Sequence, residues 1–360
     1  MEGTVCLISL HFSPAYISLL IGYGRAFALL GHSIKYVLHP SYMAFPEFKN
    51  NPLASASTTY DGDLLENCAH ALFTNMASKN HVYAGKLRRE GCNIWYIYHE
   101  PWESFSMYRD TESLPDILKL FIAHRLSIKM LKASDLIVLP SQCCLRTYEK
   151  GDAQYNSNYY KVPLLFDDDS CGIADQNRQY FAYIGNISKS HGFDQFMRFV
   201  KHSIQNNLGI RFLVASRSPF PQAYINDITI AGSLDQLTIN CGHPLSTDEI
   251  NLCYASSICV WNIYRRSTQS GVLGKAMMFG TPVLASRVGS FGEFITDKIE
   301  GRMLEGTDPL EINAAYSDIN EHLSSYTSNC RARFLSTYFY KSHLEALRRM
   351  LAIEPSKQSS

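Results

Sequence analysis

The apolar and polar positions switch between two periods along most of the chain. Short apolar runs rich in strand formers alternate with longer stretches at helical spacing. Val5–Leu10 is such a run, His11–Ser18 a polar loop, Leu19–Leu30 a helix closed by Gly31, and Ile34–Leu38 a second strand. That is a βαβ unit. Ala71–Asn75 and Ile94–Tyr98 predict further strands flanking a basic helix, Val82–Arg89. Leu114–Lys132 predicts a long helix, Asp135–Pro140 a strand, and Ser141 opens a short helix running to Lys150. In the second half, Tyr180–Ile184, Arg211–Ser216, Leu237–Cys241, Ile258–Tyr264 and Val283–Ala285 predict strands. The helix Thr247–Tyr254 is preceded by Ser246, with Glu249 three residues on, a capping box. Uninterrupted apolar strands alternating with helices predict an α/β chain with parallel sheets covered on both faces.

One stretch stands apart. Tyr264–Ser286 reads YRRSTQSGVLGKAMMFGTPVLAS. A strand runs into a hydroxyl-rich bend at Ser267–Gly271, a helix follows over Val272–Phe279, and Gly280 with Pro282 stops it. This order puts backbone N–H groups and the positive end of a helix dipole at the carboxyl edge of a sheet, where an anion is favoured. An ordinary βαβ unit with an N-cap serine would read the same way.

Length and charge narrow the classes. The 360 residues suffice for two domains. The 33 basic and 33 acidic residues balance, which argues against bulk nucleic-acid binding. The ten cysteines form no CxxC pair, and Cys6, Cys253 and Cys259 lie inside apolar runs, as in a reducing compartment. Cys143 and Cys144 read as helix surface and core. Glu2 and His11 argue against a signal peptide, and no apolar segment is long enough to span a bilayer. A cytoplasmic protein is expected.

The residues after the bend carry a resemblance. Ala276, Met277, Gly280, Thr281, Pro282, Val283, Ala285 and Ser286 match the donor-site segment of GT-B glycosyltransferases of the large, mostly retaining family four (group 1). Val288–Glu293 is similar to the family's following Gly-Gly-x-x-Glu turn. The family's two donor-site glutamates are absent, replaced by Ser267 and Lys275. The resemblance implies a GT-B fold, two Rossmann-like domains with parallel sheets facing a central cleft. Residues 1–165 would form an acceptor-side domain and 166–337 a nucleotide-sugar domain. Helices over about 338–352 would return to the first domain, and 353–360 would be a polar tail.

The same resemblance implies site residues. In the turn after Tyr180–Ile184 the family carries an arginine and a lysine that hold the pyrophosphate; here Asn186 and His191 stand there, with Lys189 nearby. Arg217 and His243 fall in nucleotide-facing loops. With Arg265, Arg266, Ser267, Gln269, Ser270, Gly271 and Lys275 they make the expected donor site. A cation at Lys275, one turn into the helix beside the dipole's positive end, is favourable when an anion sits there. His99 and Glu100 end a strand in a segment resembling the family's His-x-Pro/Trp run; they are the catalytic candidates, His99 for a sugar or phosphate contact and Glu100 as an acceptor-side base. His11, Ser13 and Tyr16 are the acceptor-side candidates.

The function implied is transfer of a sugar from a nucleotide-diphosphate sugar to a lipid-linked or polysaccharide acceptor, with retention, in cell-surface glycan biosynthesis such as lipopolysaccharide or capsule. No cofactor is expected beyond that co-substrate. No metal is expected either, since Asp61-Gly62-Asp63 falls in a loop of the wrong domain. Arg125, Lys129 and Lys132 share one helix stripe, read either as a solvated face or as a contact with an anionic membrane on the cytoplasmic side. A non-catalytic GT-B scaffold subunit and a nucleotide-sugar epimerase are the competing classes.

Overall fold

A computed structural model describes residues 2–58, 67–170, 177–231, 234–243 and 245–353. The chain divides into two compact units, Met1–Asp167 with Tyr338–Ser360, and Asp168–Thr337.

The sheet of the first unit consists of β1 (Glu2–Ser9), β2 (His32–Leu38), β3 (Ala54–Ala56), β4 (Cys68–Phe73), β5 (Asn93–Ile97), β6 (Leu136–Leu139) and β7 (Tyr159–Lys161). They are parallel, in the order β3-β2-β1-β4-β5-β6-β7. The connecting helices are α1 (Ile17–Leu29), α2 (Pro46–Lys49), α3 (Asn80–Arg89), α4 (Phe105–Thr111), α5 (Leu114–Ala133) and α6 (Gln142–Gly151). Helices on both faces explain why β1, β5 and β6 are nearly unbroken apolar runs. The central strand residues Val5–Ile8, Ile94–Ile97 and Leu136–Leu139 are accordingly buried. Caps set two helix starts: Ser113 accepts from Asp116 N at 3.4 Å and Ser141 from Cys144 N at 2.9 Å. Helix α1 begins at Ile17, two residues earlier than the pattern suggests, because Pro14–Tyr16 already winds a 3-10 turn.

In the second unit β8 (Tyr180–Ile184), β9 (Arg211–Ser216), β10 (Leu237–Cys241), β11 (Ser257–Asn262), β12 (Val283–Ser286) and β13 (Gly301–Leu304) form a parallel sheet ordered β10-β9-β8-β11-β12-β13. Its helices are α7 (Phe193–Gln205), α8 (Gln222–Ala231), α9 (Thr247–Ala255), α10 (Gly271–Met278), α11 (Phe291–Phe294), α12 (Pro309–Glu321) and α13 (Leu323–Thr337). The expected capping box at Ser246 and Glu249 is present. Each sheet reverses its strand order once, at β1/β4 in the first unit and at β8/β11 in the second. The loops at the carboxyl ends of those pairs run apart, which opens a crevice where open α/β sheets take ligands.

The end of the chain belongs to the first unit. Phe166 N donates to Tyr338 O at 2.8 Å, Tyr340 N donates to Phe166 O at 3.1 Å, and α14 (Leu344–Leu351) packs on α1. Arg25 of α1 pairs with Asp167. The backbone of Leu165 and Phe166 passes so close to α1 that a Cβ on Gly22 would lie 2.5 Å from Leu165 O. Gly22→Ala therefore lowers stability by about 1–3 kcal/mol through overpacking, read as a lower urea midpoint at an unchanged m-value.

Candidate functional site

The crevice of the second unit is built from two loops, residues 185–192 after β8 and 263–270 after β11. Three contacts hold them together. Arg265 N donates to Ser190 O at 2.8 Å, Arg265 Nη1 donates to Lys189 O, and Trp261 Nε1 donates to His191 O at 3.2 Å. The Arg265 guanidinium also forms a two-pronged pair with Asp194, Nη1–Oδ1 2.8 Å and Nη2–Oδ2 2.6 Å. His191 stacks on Tyr264 at 4.4 Å between ring centroids and 12° between planes. Gly192 adopts φ +68°, and a Cβ there would meet Ile263 O at 2.3 Å, so only glycine lets the loops approach this closely.

Behind these loops lies the hydroxyl-rich bend. Ser270 caps α10 by accepting from Leu273 N at 3.2 Å, and Asn262 Nδ2 donates to Ser270 Oγ at 3.4 Å. Ser267 Oγ donates to Gln269 O at 3.2 Å, while Ser267 O accepts from Ser290 N at 3.0 Å and so receives the next turn. Gly185 stands against the first turn of α10, where a Cβ would come within 3.3 Å of Val272. Space opens at Gly271, where a Cβ would touch nothing within 4 Å. Buried polar atoms collect at this bend: Asn262 Oδ1, Gln269 Oε1 and Ser290 Oγ have no hydrogen-bond partner among the described residues. Buried polar atoms are costly unless something satisfies them. The bend thus supplies backbone donors, a helix N-terminus and unsatisfied side-chain atoms in one place.

The structure assigns the expected residues unequally. Asn186, Lys189, His191, Arg265, Ser267, Gln269, Ser270 and Gly271 come together here; Asn186 accepts from Ser218 Oγ at 3.0 Å, tying in the loop after β9, where Arg217 is exposed. Lys189 is exposed on the rim, and Arg266 is half-buried beside the bend. His243 is exposed after β10. Lys275 does not face the crevice as an open cation: its ammonium contacts Asp169 Oδ2 at 2.5 Å and Asn251 Oδ1 at 3.2 Å. The anion expected beside that lysine is the chain's own Asp169 rather than a ligand. Arg265 is likewise held by Asp194, which makes it a positioning residue.

The first unit carries the other candidates. His99 lies two residues past the end of β5, buried, with Nε2 2.7 Å from Thr74 O. A carbonyl only accepts, so Nε2 carries the hydrogen, and in the neutral ring Nδ1 is the acceptor. Burial pushes the imidazole pKa down against the pull of Thr74 O and Glu100, and the net shift is downward. His99 is therefore neutral at pH 7, suited to a hydroxyl rather than a phosphate oxygen. Tyr16 stands edge-on to it, ring centroids 5.2 Å apart. Burial, then the nearby Glu100, raises the Tyr16 phenol, which stays protonated. His99, Glu100 and Tyr16 line a cavity of about 210 Å³ together with Tyr98, Trp102 and His124. The loop after β1 is fixed by Tyr42 and Asn75: Tyr42 OH donates to Ser13 O at 3.0 Å and Asn75 Nδ2 to His11 O at 2.7 Å. His11 is exposed and Ser13 half-buried; neither lines that cavity. Asp61 and Asp63 lie outside the described residues. Among the described residues no group of His, Cys, Asp and Glu is placed to hold a metal ion.

Residues 178–322, inside the second unit, match the family described as glycosyl transferases group 1. No curated protein matches the chain in sequence. Among solved structures, sucrose-phosphate synthase from Thermosynechococcus elongatus is similar with a TM-score of 0.70 at 13% identity, over 98% of this chain and 98% of that one. HepE from Anabaena, crystallised with UDP, gives 0.68 at 13% identity over 97% and 99%. The chain has the GT-B glycosyltransferase fold. Pneumococcal O-GlcNAc transferase GtfA, crystallised with UDP and GlcNAc, gives 0.67 at 10% identity over 98% and 99%.

Within this GT-B chain, sequence patterns alone missed Asp194, Asn262, Tyr264 and Ser290. Asp194 had a signal, an acidic residue in the first turn of a helix. The others are recognisable only once β8 and β11 are known to be neighbours. Burial raises the pKa of Asp194, but the Arg265 hydrogen bonds and charge outweigh it and hold the carboxyl below its ordinary 3.8. A depressed pKa stabilises above the unfolded value and is lost as pH falls through the folded one. Asp194→Asn should therefore lower the urea midpoint by a constant amount between pH 7 and 5, and the difference from the parent should vanish as the parent carboxyl protonates below pH 3.8.

Proposed function

We propose that this protein is a glycosyltransferase that draws its sugar from a nucleotide-diphosphate sugar. The observation that carries the proposal is the coincidence of the group 1 match with the unit whose strand-order reversal holds the bend at 267–271. Backbone N–H groups there and the α10 N-terminus favour the diphosphate, and Lys189 adds a cation on the rim. Neighbours of the same fold crystallised with UDP support a uridine diphosphate donor.

The chemistry asked of the protein is to stabilise charge on the departing diphosphate as the glycosidic carbon becomes oxocarbenium-like. Fixed amide dipoles at the bend do this without reorganising. His99, neutral and oriented by Thr74, offers its ring nitrogen to a sugar hydroxyl, and Glu100 is the acceptor-side carboxylate. Retention and independence from metal are part of the proposal; transfer undiminished by a chelator supports the second. The acceptor is a lipid-linked or polysaccharide glycan in cell-surface glycan assembly, met at the inner face of the cytoplasmic membrane. No helix among the described residues is long and apolar enough to cross a membrane.

A scaffold subunit without turnover is the competing class, and ligand binding separates the two. Among UDP, GDP, dTDP and CMP in a thermal-shift assay, UDP at a hundred times its Kd should stabilise by about 2.7 kcal/mol. Lys189→Glu should weaken UDP at least tenfold. His99→Ala should cut transfer at least tenfold with UDP affinity intact. Absence of a shift with all four nucleotides would leave the scaffold class.

A further inference from the structure

Towards the amino ends of the first sheet's strands, away from the carboxyl ends that lead to Thr74 and His99, three thiols meet. Cys6 of β1, Cys68 of β4 and Cys92, one residue before β5, belong to one core on a single sheet face. Cys68 Sγ lies 3.0 Å from Cys92 Sγ, and Cys6 hydrogen-bonds the same sulfur. Elsewhere thiols meet backbone carbonyls: Cys144 Sγ donates to Tyr98 O at 3.1 Å, Cys330 Sγ to Glu300 O at 3.0 Å and Cys241 Sγ to Val214 O at 3.6 Å. Such thiols behave as small buried hydrophobes. Sulfurs in contact with one another can also react with one another.

The chain breaks its alternation to bring them together. Ala71 and Phe73 of β4 face this core, so a strict period of two would turn Cys68 to the other face. A bulge re-aims it: Thr4 pairs with Cys68 but the next residue, Val5, pairs with His70, and Ala69 is the extra residue. Glycine at position 3 makes room, since a Cβ there would lie 2.5 Å from the Ala69 Cβ. Access is unequal: Cys68 is half-buried, Cys92 is 3% exposed and Cys6 is fully buried. The protonated Cys68 thiol donates to His70 O at 3.2 Å, which leaves its lone pairs to the other two thiols. Hydrogen bonds from Cys6, then Cys92, pull the Cys68 thiol below its ordinary pKa, and burial works against them. One reachable sulfur thus stands against a sheltered one, and closing their 3.0 Å to the about 2.05 Å of an S–S bond takes only a small side-chain movement.

We propose that Cys68 and Cys92 are a redox-modification site at which a peroxide forms a reversible disulfide, Cys68 reacting first and Cys92 resolving. In the first step the Cys68 thiolate attacks one peroxide oxygen. The O–O bond breaks, an S–O bond forms, and the other oxygen leaves as hydroxide, which takes a proton from solvent to replace the one Cys68 released. In the second step the Cys92 sulfur attacks the Cys68 sulfenic sulfur. The S–S bond forms, the S–O bond breaks, and the hydroxyl leaves as water with the Cys92 proton. Two electrons pass from the sulfurs to the peroxide, and a dithiol restores both thiols by exchange. In a reducing compartment such a bond is transient. It would close the segment from β4 through α3 to β5 into a loop, with Thr74 and His99 beyond the far ends of the same strands, so glycosyl transfer is not needed for this chemistry.

The test uses the full chain, reduced with dithiothreitol and freed of it, then treated with hydrogen peroxide, alkylated with iodoacetamide and mapped by mass spectrometry. A Cys68–Cys92 linked peptide, lighter by two hydrogens, should appear and be lost when dithiothreitol is returned. Cys68 should lose its alkylation at least tenfold faster than Cys143, which is half-buried on α6. Because the bond restricts the unfolded chain, the oxidised parent should melt at a higher temperature than the reduced parent. In Cys92→Ser that rise should be absent and dimedone should tag Cys68 as its sulfenic acid; Cys68→Ser, altered at the accessible position, should show neither rise nor tag. Mapping of the parent needs no variant and stands where a variant fails to fold. Peroxide that leaves both cysteines open to alkylation, joins Cys68 to Cys6, or links only separate chains would each overturn the proposal. So would a Cys68 that reacts no faster than Cys143.

Discussion

The pairing of Arg265 with Asp194 is the interaction on which the rest of the second unit's site depends. One guanidinium meets a carboxylate on α7 and a carbonyl of the loop after β8, while its own backbone N–H is bonded to the same loop. These bonds join the two loops that the strand-order reversal would otherwise send apart. Bidentate, partly desolvated pairs of this kind fix orientation as well as supply energy. Lysine could not do the same, since its point charge has no fork. With the loops fixed, the bend at 267–271 is placed at the α10 N-terminus, with the carbonyl of Ser267 holding the turn at Ser290.

The missing donor-site glutamates acquire a physical account. Ser267 serves the backbone of its own bend through its side chain and the next turn through its carbonyl. Lys275 draws in Asp169 from the segment entering the unit, with Asn251 as a second partner. A carboxylate is thus present beside α10, supplied by the incoming segment and paired to a lysine, rather than carried on the helix. The charge order is inverted relative to the pattern the resemblance implies, and the bend depends on backbone and amide groups more than on acidic side chains.

Much of the fold was legible because the central strands and long helices announce themselves by period and capping. Arg211–Ser216, Leu237–Cys241 and the Ser246/Glu249 cap fall where the pattern puts them. The edge strands β3, β7 and β13 were not legible: Ala54–Ala56 and Tyr159–Lys161 are three residues long, and Gly301–Leu304 opens on glycine. Of the candidate site, the bend was visible as a run of small hydroxyl residues before a helix. What the sequence could not show was partnership. Whether an arginine or lysine binds a ligand or a carboxylate depends on what stands across the sheet, and Asp194 and Asp169 are far from Arg265 and Lys275 along the chain.

In the proposed function, backbone amides at the head of α10 hold a diphosphate. Amide hydrogen exchange of residues 267–273, followed with and without saturating UDP, measures this directly. Slowed exchange confined to this bend and to the 185–192 loop is expected. Unchanged exchange at the bend under conditions where UDP is bound would contradict it.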